Sequence, residues 1–136
     1  AVRKIAAQVE AFSINMTEAR QLFGVEDRES IVAELRSWGM ELIFLRQGAK
    51  GAVMITEKEV VEVPSCPDVT VVDATGGGNS STGAVLCGLV EGFSAEICGR
   101  MGSISAAMCI AQHGVPAKIT KEMRENACRK RGTDLC

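Results

Sequence analysis

The glycine-rich segment Val72–Gly83, with the sequence VDATGGGNSSTG, contains the residues whose types and spacing are best suited to chemistry. Three consecutive glycines lie between a short apolar stretch and a long apolar run of helical character. Glycine lets the backbone approach a ligand closely, and the first turn of a helix offers unpaired N–H groups with a partial positive charge. The segment therefore predicts a site for a phosphate-like anion that needs no cationic side chain. A tight turn with a purely structural role is the alternative.

The spacing of these glycines differs from that of two other phosphate loops. A Walker A loop requires GxxxxGK followed by Ser or Thr, and a dinucleotide site requires GxGxxG. The segment follows neither pattern. A site made of N–H groups stabilises the charge that develops on a transferred phosphoryl group, so the segment favours phosphoryl transfer.

Strands and helices alternate along the chain, and they must position this segment. Short apolar runs predict strands at Val9–Ser13, Glu41–Arg46, Ala52–Thr56, Glu59–Val63 and Thr70–Asp73. Helical spacing and capping residues predict helices over residues 16–23, from Glu26 or Asp27 to Gly39, at Asn79–Gly92, at Ala95–His113, and from Thr120 towards Lys130. This order predicts a layered α/β fold that includes an antiparallel hairpin.

Residues 1–8 predict the last turns of a helix, and a complete doubly wound domain needs more strands than the chain contains. We therefore expect the chain to be a piece of a longer protein.

The composition bounds the class of protein. A length of 136 residues suits one compact domain, and a formal net charge of −2 gives no basic surface for nucleic acid or an anionic membrane. The six cysteines and the single histidine lack the clustered spacing of a zinc site. Cys87, Cys98 and Cys109 lie among apolar helical positions, and we expect them to be buried thiols. Together with the lack of a signal peptide or a membrane-length apolar run in this sequence, these features predict a cytoplasmic protein.

The pattern D-x-T-G-x-G at Asp73–Gly78, with Gly-Ala five residues further on, resembles the signature of the PfkB family of carbohydrate kinases. The resemblance implies a ribokinase-like three-layer αβα (Rossmann-like) domain, of which this chain would be the C-terminal part. It implies that Gly76, Gly77 and Gly78 form an anion hole, meaning a set of backbone N–H groups that bind a phosphoryl group. The family normally has a catalytic Asp next, and Asn79 stands there in this chain. The segment GGGNSS also resembles a fungal branch of the family.

Further segments, in the expected order, extend the resemblance over roughly residues 9–118. The roles that it implies are magnesium and phosphate positioning for Asn15 and Glu18, nucleotide binding for Arg46, Gly48, Gly51, Ser103 and Gly114, and a monovalent cation site for Asp73 and Thr75 beside the backbone of His113 and Gly114. The implied ligands are ATP, Mg²⁺ and K⁺, with a sugar-like substrate.

Several of these residues also have a local explanation. Asn15 and Glu18 can form a capping box, in which the two residues cap the start of a helix reciprocally. Gly48 and Gly51 can shape a hairpin, and Ser103 can be a small residue at a close helix contact.

Two functions from different classes remain open. The first is an enzyme, in which residues 1–136 form the nucleotide-binding portion of a PfkB-type carbohydrate kinase without its substrate half and lid. The second is a nucleotide- or anion-binding relative that kept the fold and lost the general base, because the amide of Asn79 cannot accept a proton near neutral pH. The sequence indicates no nucleic-acid or membrane partner, and it does not support a particular oligomer.

Overall fold

The computed structural model describes residues 1–114 and 116–131 of the chain. Its helices are α1 (Val2–Ala6), α2 (Met16–Phe23), α3 (Arg28–Arg36), α4 (Gly77–Val90), α5 (Ala95–Ile110) and α6 (Lys121–Arg131). Its strands are β1 (Ala11–Asn15), β2 (Leu42–Arg46), β3 (Ala52–Ile55) and β4 (Val60–Val63), with a short 3₁₀ helix at Gly48–Lys50. None of these helices is long and apolar enough to cross a membrane.

The four strands form one mixed sheet in the order β1-β2-β3-β4. Strands β1 and β2 are parallel, and their register pairs Asn15 with Arg46 at the last position of each strand. The other two pairs are antiparallel, so the predicted hairpin is confirmed as β3 and β4. Because parallel strands end at the same edge of a sheet, Asn15 and Arg46 lie side by side at that edge.

Helices cover both faces of the sheet, and the alternation of side chains along β2 explains why. Ile43 and Leu45 point to one face, where they join a core with Ile31 and Leu35 of α3. Leu42 and Phe44 point to the other face, where the core includes Val85 of α4 and Cys98 of α5. The predicted three-layer architecture with a buried central strand is therefore confirmed.

Local capping signals fix the two helices that follow β1. The Asn15 side chain accepts a hydrogen bond from the Glu18 N–H, and Glu18 Oε2 accepts one from the Asn15 N–H, both at 2.8 Å. Gly24 then ends α2 in the left-handed conformation at φ 68°. Asp27 caps α3 through the Ser30 N–H at 2.8 Å. The capping box predicted from the sequence is confirmed.

Two predicted elements near the glycine segment are wrong, and they share one cause. Residues 70–73 form no strand, and α5 ends at Ile110 rather than at His113. The Ile110 carbonyl accepts hydrogen bonds from the N–H groups of Val72 at 2.8 Å and Asp73 at 3.2 Å. That contact binds the 70–73 segment to the end of α5 instead of to a neighbouring strand.

Smaller corrections concern element ends and one cysteine. The first strand lies two residues later than predicted, and the helix opened by Asp27 ends at Arg36 instead of Gly39. Cys98 and Cys109 are buried as expected, whereas Cys87 is exposed. Cys87 lies on the outer side of α4 with the exposed residues Leu86 and Val90, because α4 packs on α5 and the sheet through its other side.

Candidate active site

The first turn of α4 is the centre of the candidate site. Gly76 precedes the helix with φ 84°, a left-handed conformation that other residues adopt only with strain. The helix begins at Gly77, where a Cβ atom would lie 2.7 Å from Ile110 Cγ2 of α5. Glycine at 77 thus lets the two helices approach closely. The first turn presents N–H groups that a helix cannot satisfy internally, so it is suited to bind an anion.

A cationic side chain meets this turn from the sheet. The Arg46 guanidinium occupies the space that a side chain on Gly78 would take, so Nη1 lies directly against the turn. Its Nη2 lies 3.7 Å from Glu18 Oε2, the same oxygen that completes the capping box. Arg46 Nε is buried and has no hydrogen-bond partner among the described residues. A positive group placed at the positive end of a helix leaves a net attraction for an anion.

Most of the residues predicted to bind nucleotide line one cavity of about 670 Å³. This candidate nucleotide cavity, the first of two, lies between the end of the sheet, the first turn of α4 and the middle of α5. The predicted site residues on its wall are Asn15, Arg46, Gly48, Gly51, Gly77, Gly78 and Ser103. Ser103 donates a hydrogen bond to the Pro64 carbonyl at 3.0 Å, so it joins α5 to the loop that closes the cavity. Cavities of about 300–1,000 Å³ suit small ligands and cofactors.

A second cavity, of about 700 Å³, lies on the other side of the same turn. The predicted residues on its wall are Thr75, Gly76, Asn79 and Gly114. Asn79 is exposed there, next to Ser80, whose hydroxyl lies 2.7 Å from the Ser105 hydroxyl of α5. The structure therefore divides the predicted catalytic set between two cavities, with Gly77 and Gly78 on one side of the turn and Gly76 and Asn79 on the other.

Asp73 is on the wall of neither cavity. Its Oδ1 accepts a hydrogen bond from the Thr75 N–H at 2.9 Å, and its Oδ2 lies 3.8 Å from Nδ1 of the exposed His113. The backbone hydrogen bond from Thr75 is the main cause that lowers the pKa of Asp73 below its ordinary value, and the Thr75 side chain and His113 act in the same direction. Asp73 therefore stays ionised and holds the loop before α4 in shape.

Comparisons with known proteins decide the family. The profile described as "pfkB family carbohydrate kinase" matches residues 1–122. The chain belongs to the pfkB family. Cytidine kinase of Thermococcus kodakarensis is 34 % identical over 103 residues, which cover 74 % of this chain and 37 % of the relative.

Solved pfkB-like structures agree with the fold. A probable sugar kinase from Rhizobium etli CFN 42 superposes with a TM-score of 0.82 at 26 % identity, and the match covers 96 % of this chain and 39 % of that one. Arabidopsis thaliana ribokinase, solved with ribose and ATP, gives a TM-score of 0.79 at 25 % identity over 97 % of this chain and 44 % of that one. The ribokinase-like fold is thus confirmed, and the chain spans less than half the length of each of these relatives. None of the three is fungal, and the fungal-branch resemblance stays a prediction.

A metal site would need several acidic, His or Cys side chains close together. Among residues 1–114 and 116–131, no three His, Cys, Asp or Glu side chains come together in a way that could hold a metal ion. Mg²⁺ at phosphoryl-transfer sites is bound largely by substrate phosphates and water with one or two carboxylates, so such a cluster is not required. Glu18 contacts Arg46, which lies against the turn, and 54 % of the Glu18 side chain is exposed.

Three hydroxyl residues at this site were missed in the sequence. The hydroxyls of Ser81 and Thr82 both donate to the Gly78 carbonyl, and Thr82 Oγ1 also lies 2.9 Å from Ser13 Oγ on β1. A signal was present, because Ser13 lies two residues before Asn15 and alternate strand residues share a face. Asp68 was missed as well; it lines the nucleotide cavity with φ 58° in a loop with no regular pattern.

Proposed function

We propose that residues 1–136 form the nucleotide-binding part of a kinase that transfers the γ-phosphoryl group of ATP to a hydroxyl of a sugar-like substrate. The observation that supports it most directly is the position of the Arg46 guanidinium against the first turn of α4, at the end of a cavity large enough for a nucleotide. The relatives in this family are named as kinases of sugars and nucleosides, and one was solved with ATP.

In this proposal the triphosphate lies at the turn and the base lies deeper in the nucleotide cavity. The Gly78 N–H and the guanidinium of Arg46 bind the transferred phosphoryl group and stabilise the charge that develops on it. The Gly77 N–H, which donates to the Ala74 carbonyl at 3.3 Å, exchanges that long hydrogen bond for one to the phosphoryl group. Glu18 holds Arg46 in place from the side. The adenine contacts the apolar wall near Ser103, where the available surface is formed by small residues such as Ala106 and Ala107.

Two ions implied by the family fit these residues to different degrees. Mg²⁺ supplies neutralisation of phosphate charge, and we propose that Glu18 and Asn15 hold it through its bound water, since Asn15 Oδ1 and Glu18 Oε2 already serve the capping box. For K⁺ we propose oxygen ligands from Asp73, Thr75 and the backbone near Gly114. The Asp73 carboxylate is ionised, which suits this role, although Thr75 already uses one of its oxygens.

A second function is favoured by one residue, Asn79. A side-chain amide orients a hydroxyl by hydrogen bonding but takes no proton from it. Loss of a general base lowers the rate by about 10²–10⁴. A protein with this site intact and the base absent binds ATP and transfers its phosphoryl group slowly or not at all. Because ATP is a cytoplasmic nucleotide and free thiols such as that of buried Cys98 persist in a reducing compartment, we propose the cytoplasm as the location of the protein.

The experiment compares the intact protein with its Asn79→Asp variant. ATP affinity is measured by calorimetry, and labelled phosphoryl transfer is measured with a panel of sugars and nucleosides. Asn126→Asp, on α6, is the matched control, because it adds the same charge away from Gly77, Gly78 and Arg46. We expect ATP binding in all three proteins.

The outcomes separate the two functions. Transfer by the wild type supports the first function. ATP binding without transfer, with a gain of about 10²–10⁴ in rate on Asn79→Asp alone, supports the second function. Failure of the wild type to bind ATP refutes both, and an equal gain in Asn126→Asp shows that added charge is the cause rather than a base at position 79.

A further inference from the structure

A chain of hydroxyl groups connects strand β1 to the first turn of α4. The Gly78 carbonyl accepts hydrogen bonds from Ser81 Oγ at 2.8 Å and Thr82 Oγ1 at 3.0 Å. Thr82 Oγ1 lies 2.9 Å from Ser13 Oγ, 69 residues earlier in the chain. Ser81 is buried, and Ser13 and Thr82 are half-buried, so these hydroxyls are partly shielded from competing water.

Through the geometry of the peptide bond, these hydroxyl groups affect the direction of an N–H group at the anion site. The Gly78 carbonyl and the Asn79 N–H belong to one planar trans peptide, in which the C=O and the N–H point in opposite directions. The helix already orients this peptide, and two hydroxyls on the carbonyl reinforce the direction of that N–H. Asn79 is in the first turn of α4, whose N–H groups have no carbonyl of the helix to donate to.

Strand β1 holds the turn at two points. Ser13 and Asn15 lie two residues apart, so their side chains share one face of the strand. Ser13 reaches the turn through the Thr82 hydroxyl, and Asn15 reaches it through Glu18 and Arg46. The relative position of the N–H donors and the guanidinium thus depends on a single strand.

We propose that Thr82, held by Ser13, is a positioning residue: it holds the peptide that joins Gly78, on the first cavity, to Asn79, on the second, so that the Asn79 N–H points to the phosphoryl group bound at the turn between them. This inference rests on the proposed nucleotide binding and adds a role for residues that contact no ligand. Ser and Thr side chains often bond to a carbonyl three or four residues earlier in a helix. The hydrogen bond to Ser13 on another element distinguishes Thr82 from that common local pattern.

The test uses Thr82→Val in the intact protein, since valine keeps the shape and removes the hydroxyl. Affinities for ATP and for adenosine are measured by calorimetry, together with the change in the Asn79 amide NMR shift on addition of ATP. We expect ATP affinity to fall about tenfold, which corresponds to about 1.4 kcal/mol, with adenosine affinity unchanged and a smaller shift at Asn79. Thr82→Ser retains the hydroxyl and should retain at least half of the ATP affinity.

Ser80→Ala is the matched control. It removes a half-buried hydroxyl from the same helix, but that hydroxyl bonds to Ser105 of α5 instead of to the turn. We expect this variant to lose a similar amount of stability and to bind ATP as the wild type does.

Several results would overturn the inference. One is wild-type ATP affinity in Thr82→Val, and another is an equal loss of ATP and adenosine affinity, which indicates a general structural defect. If Thr82→Val does not fold, Ser13→Ala removes the far end of the chain, and unchanged ATP affinity in that variant overturns the inference. If the wild type binds no ATP, the proposed function is refuted. The inference is then tested with inorganic phosphate alone, and it is overturned if phosphate does not change the NMR shift of the Asn79 amide.

Discussion

Substitution of Gly78 by alanine isolates the contribution of Arg46 to the anion site. A Cβ atom on residue 78 would overlap Arg46 Nη1, and Cζ lies 3.5 Å from the same position. The overlapping group is the far end of a flexible side chain, so the guanidinium can retreat, by roughly 1 Å, until the contact is normal. The expected damage is therefore to ligand binding and not to the fold.

The substitution has two separate effects, one on the free energy of unfolding and one on ATP affinity. Alanine in place of glycine in a helix stabilises the folded state by about 0.5–1 kcal/mol, so the free energy of unfolding should stay constant or rise slightly. A hydrogen bond to a charged group contributes about 1.5–3 kcal/mol, which equals roughly 10- to 150-fold in affinity. Because Arg46 is displaced and not removed, we expect the lower end, about tenfold weaker ATP binding.

Gly83→Ala on the same helix is the matched control. A Cβ atom at this position meets no other atom within 4 Å, so it brings the helix stabilisation without displacing Arg46. Calorimetry with ATP and urea unfolding are measured for both variants. Wild-type ATP affinity in Gly78→Ala would refute the assignment of Arg46 to the phosphate, and so would an equal loss of affinity in Gly83→Ala.

Two further predictions concern stability. Gly102→Ala should lower the free energy of unfolding by about 1–3 kcal/mol in urea, because its Cβ would lie 2.9 Å from Val85 Cγ2 in the packed α4–α5 contact; a change below about 0.5 kcal/mol would contradict this packing. Asp73→Asn should lower stability at neutral pH. Since the folded pKa of Asp73 lies below its unfolded value, its contribution is present above the unfolded pKa and is lost as the pH falls through the folded pKa. Wild type and variant should therefore converge in acid, and a difference that stays constant over pH, measured by urea unfolding, would contradict the role of the Thr75 hydrogen bond.

Elements with local signals could be predicted from the sequence. The capping box of Asn15 and Glu18 and the left-handed Gly24 define α2 within a few neighbouring residues. The hairpin of β3 and β4 was predicted because its strands are close in sequence and joined by a tight turn. In each case the groups that satisfy the backbone lie within a few positions of each other, so the sequence pattern contains the whole interaction.

Elements whose hydrogen bonds come from distant residues were predicted wrongly. The Ile110 carbonyl ends α5 early because it accepts from Val72 and Asp73, nearly forty residues away. The same contact prevents residues 70–73 from forming the predicted strand. The outer side of α4 is apolar enough to suggest burial, but its packing partners cover only the opposite side, and Cys87 is left exposed. No local pattern contains these contacts.

The glycine segment has some features that its local sequence predicts and others that depend on distant residues. By itself the sequence predicted that a helix begins at the glycines and that its first N–H groups suit an anion, because both follow from glycine and from the start of a helix; the structure starts that helix at Gly77, two residues earlier than predicted. Only the tertiary structure decided that Arg46 from β2 lies against Gly78, that Ser13 contacts the Thr82 hydroxyl that holds the Gly78 carbonyl, and that Asn79 lines the second cavity. Those relations depend on how strands and helices pack across the sheet, and residues far apart in the chain become neighbours only when the two cores form.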